Sequence, residues 1–312
     1  MTALIGLRAP VFVTPESLVG VLTDTSFLFM LTLAQMTVIL TRGIDLSVAA
    51  NLALVGMNAA LFSRAYPAVP ILGVVALSIL LGAALGALNG ALIAFLAIPP
   101  IVVTLGTLSI YRGAIFLIAG GAWMTSKDMS PAFLAFPKLT LLGVPILIVI
   151  AAAVSVGFWA FLGYTRLGRG LYAVGGNPVA ARYCGIALGP QQLFVHTLAG
   201  GISGLCGYLW VSRYGIAYTD IALGYELTVI AACVIGGVSI AGGVGTVPGA
   251  LLGALFLGVV VNALPVINVS PFWQMLISGA VILTAVVVNA RSEKRSGKLI
   301  LREARLGGGA AR

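Results

Sequence analysis

A single histidine, His196, stands in 312 residues. Histidine-based metal clusters and Ser/His/Asp catalysis therefore have almost nothing to work with. At the start of an apolar span, His196 reads as an interfacial or packing residue. Cys184, Cys206 and Cys233 show neither C-x-x-C spacing nor an even framework, which argues against a thiolate metal site or a disulfide scaffold. They read as small helix-packing residues. The glycine-rich stretch 235–250 lacks the G-K-[ST] ending of a phosphate loop, and Pro248 stands where the last glycine of a G-x-G-x-x-G turn would be. We read it as a tight break between helices, and expect no catalytic residue, no metal, no cofactor and no bound nucleotide in this chain.

Polar side chains inside apolar runs carry the remaining chemistry. A charge near a bilayer centre costs about 2.5–3.5 kcal/mol even on the lenient insertion scale. Arg42 and Asp45 bracket Gly43 and Ile44, close enough to pair at a helix break; Arg112, after Tyr111, lies well inside an apolar run, and Glu226 opens another, with Arg213 and Asp220 nearby. These positions line a water-filled path, or else pair locally and snorkel to an interface. Asn51, Asn58, Asn89, Thr104, Thr107, Ser109 and Asn262 add uncharged groups. Asn51 and Asn58 lie two turns apart on one helical face. An unpaired amide is costly in hydrocarbon, so each must face another helix or a wet cavity. Such a lining suits an uncharged polar solute better than an ion, and no chain of acids and histidines suggests proton-driven transport.

The segment 165–192 differs from its surroundings. Asn177-Pro178 has the form of a helix entry, with Asn as cap and Pro in the first turn; 179–183 would then be a short helix that Gly185 ends. Arg166, Arg169 and Arg182 stand in 163–190 without an acid. A short basic helix held outside the membrane is either a handle for a soluble partner or a fixer of topology.

The elements that position these residues follow from composition. The chain is 60% hydrophobic and 8% charged, with a mean hydropathy of +1.13, whereas a soluble domain carries about 25% charged residues. It belongs in a lipid bilayer. The net charge of +9 is concentrated in 163–190 and in 291–312, both flanking apolar spans, so it reflects positive-inside bias and not nucleic-acid binding. We expect an all-α polytopic membrane protein with nine transmembrane helices near 25–42, 46–62, 70–97, 100–119, 143–163, 192–211, 225–241, 246–265 and 272–290, each near the length a bilayer core demands. Residues 1–24 form an N-terminal segment, 25–290 the transmembrane domain with its cytoplasmic loop at 163–191, and 291–312 a basic cytoplasmic tail. Alternation then places 120–140 and 212–224 outside. Glycines four residues apart, at Gly82, Gly86 and Gly90, at Gly200 and Gly204, and at Gly245, Gly249 and Gly253, line up for close helix packing. A faint echo between 69–92 and 247–264 has the form of an inverted repeat.

The blocks 43–60 (GIDLSVAANLALVGMNAA), 98–113 (IPPIVVTLGTLSIYRG), 168–186 (GRGLYAVGGNPVAARYCGI) and 225–255 (YELTVIAACVIGGVSIAGGVGTVPGALLGAL) resemble the ribose-type permeases of bacterial ABC sugar importers. They occur in that family's order and cover nearly the whole chain from about residue 10; the likeness is greatest to permeases for rhamnose or autoinducer-2. The resemblance implies a permease subunit in the bacterial inner membrane, paired with an identical or sister permease, two cytoplasmic ATPase subunits and a periplasmic sugar-binding protein. It places ATPase contact on Gly176, Asn177, Pro178, Ala180, Ala181, Arg182 and Gly185, and ATP hydrolysis in the partner. Family members usually begin with one more apolar helix than this chain shows, giving ten spans with both termini inside; a start codon set too far downstream, or a truncated variant, would account for that. Ala49–Leu52 (AANL) also departs from the glycine-serine pair of many relatives. Bare composition alone fits a self-sufficient secondary carrier of a small neutral solute, or a structural membrane anchor, as well.

Overall fold

The computed structural model describes residues 14–266, and beyond them the helical positions 273, 276, 279, 280, 283, 284 and 287. Helix α1 (Pro15–Leu40) begins where the Thr14 hydroxyl accepts from the Ser17 N–H at 3.3 Å and Pro15 needs no partner for its missing N–H. From Thr23 onward nearly every residue of α1 is buried, as expected of a helix surrounded by other helices. It packs against α6 (Ile146–Tyr164), α9 (Leu188–Tyr214), α10 (Tyr225–Ile235) and α11 (Val247–Val266). Helices α2 (Val48–Ala65), α3 (Ile71–Leu96) and α4 (Pro100–Ala119) form a second group, joined to the first mainly through α9.

The glycine spacing does what it predicts between α3 and α9. A Cβ on Gly82 would lie 2.7 Å from Gly204 Cα, and one on Gly86 2.9 Å from Gly200 Cα, so only glycine lets the two backbones touch. Gly249 and Gly253 do the same against Gly236. Gly245 departs from the expectation: it lies in the loop before α11, against the Val238 side chain. Gly56 and Gly207 make a further close crossing, between α2 and α9, that their spacing does not advertise.

Seven helices of the described residues are long and apolar enough to cross a membrane. The expected span 225–241 is not one of them. Helix α10 stops at Ile235 after 11 residues, about 16 Å, against a hydrocarbon core of about 30 Å. Gly237 (φ 82°), Gly242 (φ 86°) and Gly243 (φ 74°) then take backbone conformations that end a helix, and the chain continues as a loop to Val247. The expected first span is the later part of α1. Most of the expected span 272–290, residues 1–13 and the basic tail 291–312 lie outside the described residues.

The loops gather on two faces. On one, β1 (Met124–Thr125) pairs antiparallel with β4 (Ile216–Ala217), Met124 opposite Ala217, and the Ser63 and Ser130 hydroxyls meet at 2.9 Å. Also here are α5 (Pro131–Ala135) and the hairpin of β2 (Thr140–Leu141) and β3 (Val144–Pro145). The gaps 120–140 and 212–224 therefore share a face, as alternation requires. On the other, the break after α1, the helices α7 (Arg166–Gly176) and α8 (Pro178–Tyr183), and the loop after α10 come together. Consequently α3 and α11 run in opposite directions, as the sequence echo suggests. His196 sits inside α9, fully buried, its Nδ1 2.8 Å from the Gln192 carbonyl oxygen. Cys206 and Cys233 are buried, as packing residues are, but Cys184 is exposed at the end of α8.

Candidate functional site: a clamped helix break and an exposed helix pair

The α7–α8 pair is built from two side-chain caps. The Thr165 hydroxyl accepts from the Gly168 N–H at 2.9 Å. The Asn177 side-chain oxygen accepts from the N–H groups of Val179 and Ala180 at 3.1 and 3.0 Å, and Pro178 occupies the first turn. Gly185, at φ 80°, turns the chain back after α8. Gly176, Asn177, Ala180, Arg182 and Gly185 are exposed and Pro178 half-buried, whereas Ala181 is buried and faces the bundle. Val179 and Tyr183, 66% and 89% exposed, stand beside Arg182 around a recess of about 830 Å³ that Ala187, Leu188 and Gly189 complete. Sequence reading passed over both; two apolar side chains one helical turn apart on a short basic helix were the available signal.

Arg42 and Asp45 do not pair. Arg42 adopts a left-handed φ of 64°, at a cost of about 1–2 kcal/mol for a residue with a Cβ, and its guanidinium reaches the last carbonyls of α7. Its Nε donates to Gly175 O at 2.7 Å and its Nη2 to Gly176 O at 3.0 Å, where a cation also suits the negative end of the helix dipole. Asp45 turns inward and accepts from the Ser47 N–H and hydroxyl at 2.8 and 2.7 Å. The geometric reason is the left-handed turn at Arg42, which sends the two side chains to opposite sides of the break.

From Asp45 a buried polar network spreads into the bundle. Asn89 Nδ2 donates to the Ser47 hydroxyl at 2.9 Å, and the Tyr111 hydroxyl donates to Leu85 O at 2.8 Å, with Asn89 Oδ1 at 3.4 Å. Thr104 donates to Ile44 O at 3.1 Å. Gln35, with its amide turned to satisfy both partners, accepts from the Asp45 N–H and donates to its C=O. Asn51 donates to Gly82 O at 3.2 Å, and Thr107 to Val103 O at 3.1 Å. Asp45, Asn51, Asn89, Thr104, Thr107 and Tyr111 are each at most 4% exposed. Asn51, Asn89, Thr104 and Tyr111 bond across elements and Asp45 bonds to Ser47 at the break, whereas Thr107 bonds within its own helix.

Three of the expected path residues, Asn58, Arg112 and Glu226, stand elsewhere. Asn58 is half-buried, bonded within its own helix to Leu54 O, and lines a recess of about 310 Å³ with Phe62, Val74 and Ser78 between α2 and α3. Arg112 Nη1 donates to Thr219 O and Ile221 O at 2.6 and 2.8 Å, tying α4 to the loop before α10. Glu226 and Asp220 lie within electrostatic reach of that guanidinium. Glu226, 8% exposed, has one carboxylate oxygen without a hydrogen-bond partner among the described residues, as has the Arg112 Nε. Among the described residues no group of three or more His, Cys, Asp or Glu could hold a metal ion. Asp128, in the exposed loop opposite α8, is held below the usual carboxylate range by the N–H and hydroxyl of Thr125, 2.9 and 2.8 Å from its Oδ2.

Residues 17–286 match the family described as branched-chain amino acid transport system / permease component. The ribose import permease protein RbsC of Escherichia coli (strain K12) is 37% identical over 94% of this chain and 91% of its own length. The chain belongs to the monosaccharide ABC importer permease family. The autoinducer 2 import system permease protein LsrC of Enterobacter sp. (strain 638) is 36% identical over 90% of this chain and 81% of its own length. The galactose/methyl galactoside import permease protein MglC of Escherichia coli (strain K12) is 32% identical over 93% and 91%. The ribose and autoinducer permeases are thus equally near, and the identities do not favour the finer placement beside autoinducer-2. No solved structure matches. As a permease of this family the protein is a multi-pass membrane component of transport and not a catalytic subunit.

Proposed function

We propose that this chain is the membrane-spanning subunit of an ATP-driven importer that carries a monosaccharide, or a furanosyl signalling molecule, into the bacterial cytoplasm. The supporting observation is the α7–α8 pair. It is capped at both starts, basic, and displays Val179, Arg182 and Tyr183 around an open recess, which gives a soluble partner both an apolar foothold and a charge to read. On this reading that face is cytoplasmic, in accord with positive-inside bias, and so is the C-terminus; the face of β1 and β4 meets a periplasmic sugar-binding protein. Two ATPase subunits dock at α7–α8 and a second permease, identical or a sister, completes the pore. ATP hydrolysis belongs to the ATPase partners. Asn58 and Arg112, half-buried rather than sealed, are the polar groups placed to meet a passing solute.

Purification of the intact chain from membranes in mild detergent tests the proposal. Recovery of an ATPase in stoichiometric amount is the expected result. Uphill sugar uptake by the chain alone in liposomes, driven by an ion gradient, would overturn it in favour of a self-sufficient carrier.

A further inference from the structure

Three backbone segments meet at Arg42 with almost nothing between them. A Cβ on Gly243 would stand 2.6 Å from Gly176 Cα, and one on Gly242 2.5 Å from Arg42 Cγ. The Gly243 N–H donates to Leu40 O at 3.0 Å, and Tyr172 of α7 donates to Gly245 O at 3.1 Å. Close-packed backbone has no flexible side chain to absorb a displacement, so a shift of one segment is passed to the next. The Arg42 guanidinium adds a two-point grip on α7 through Gly175 O and Gly176 O. On the inner side of the same break, Ile44 is bonded to Thr104, and Asp45 through Ser47 and Asn89 to Tyr111.

We propose that residues 42–47 are the link through which movement of α7–α8 reaches α4, with Arg42 a positioning residue at one end and Thr104 at the other. The proposal rests on the reading of α7–α8 as the ATPase-docking element. Helix α4 is suited to be the part that moves. Thr104, Thr107 and Tyr111 lie on its buried face, while Leu105, Gly106, Ser109, Ile110 and Gly113 are exposed, and a Cβ at Gly106 or Gly113 would meet no atom within 4 Å. It carries Arg112, whose grip on Thr219 and Ile221 closes α4 against the opposite loop face. Pulling Thr104 and Tyr111 from the α7–α8 face therefore bears directly on that closure.

The test uses the assembled importer in nanodiscs, with its ATPase and binding protein, and paired spin labels. The near pair is the native Cys184 with Tyr164→Cys; the far pair is Gly113→Cys with Gly157→Cys in a Cys184→Ser background. Cys206 and Cys233 are fully buried and escape labelling. Without further substitution both distances should change on ATP addition. In Arg42→Ala and in the shape-conserving Thr104→Val, the near change should persist and the far change vanish, with sugar moved per ATP hydrolysed falling about tenfold. Arg42→Lys, whose ammonium cannot hold both carbonyls at once, should fall between and covers the case in which Arg42→Ala fails to assemble. A far change that survives in Arg42→Ala and Thr104→Val overturns the link while leaving the importer reading intact. Absence of the near change without either substitution overturns the docking reading, and the link with it.

Discussion

Asn89 donates through its side-chain amide to the Ser47 hydroxyl, 2.9 Å away, and so fastens the last third of α3 to the break that separates α1 from α2. Ser47 in turn donates to Asp45, a carboxylate only 3% exposed. Replacing Asn89 by Leu removes the donor and leaves Ser47 one partner short at a fully buried site. A loss of about 1–3 kcal/mol is expected, the cost of stranding a buried polar group. Thermal unfolding in detergent, compared with Asn262→Leu, reads it; among the described residues Asn262 bonds within its own helix, to Gly258 O. Equal melting of the two variants would show that the network contributes nothing.

Gly86 and Gly201 are both glycines of the α3–α9 crossing, yet their surroundings differ. A Cβ on Gly86 would strike backbone of α9, including His196 O, whereas on Gly201 its nearest neighbour is the Ala83 Cβ at 3.6 Å, an ordinary contact. Gly86→Ala should force the helices apart and cost about 1–3 kcal/mol or more, as overpacking does. Gly201→Ala should be neutral or mildly stabilising, because it restricts the unfolded chain. Expression yield and melting temperature of the two variants separate them.

Arg182 is exposed on α8 between Val179 and Tyr183, and no hydrogen bond ties it to the bundle among the described residues. Arg182→Glu therefore leaves the membrane fold alone and reverses the charge offered to a docking partner. Retained membrane insertion, with recovery of ATPase and sugar uptake each down at least about tenfold, is the expected outcome. Uptake at the normal rate would remove α8 from the docking surface.

Asp128 is held in its ionised form by two donors of Thr125, so its carboxyl titrates below the ordinary value of about 3.9. A depressed folded-state value means that the turn is supported above the unfolded pKa and loses that support as pH falls through the folded one. Trp123 stacks on Tyr218 nearby, centroids 4.9 Å apart, and reports the change. Its fluorescence should be flat from neutral pH down to about 4 and shift only below that. Asp128→Asn should abolish the acid transition; an unchanged transition in that variant would assign it to another group.

Much of this protein follows from residue type and short spacing, since those act through local physics. Too few charges to cover a globule put the chain in a bilayer. Glycines every fourth residue share a helix face and so meet a partner helix closely. Asn177 before Pro178 caps the helix that follows because both preferences are satisfied within one turn. What lay beyond the sequence was which polar groups meet. Arg42 sits three residues from Asp45 but grips Gly175 and Gly176, more than a hundred residues away, because one left-handed residue reverses its direction. The helix after Glu226 stops at Ile235, and Gly237, Gly242 and Gly243 take positive φ in the loop that follows, although hydropathy continues. Asn89 meets Ser47, and Thr104 meets Ile44 O, at contacts that exist only once the helices have packed.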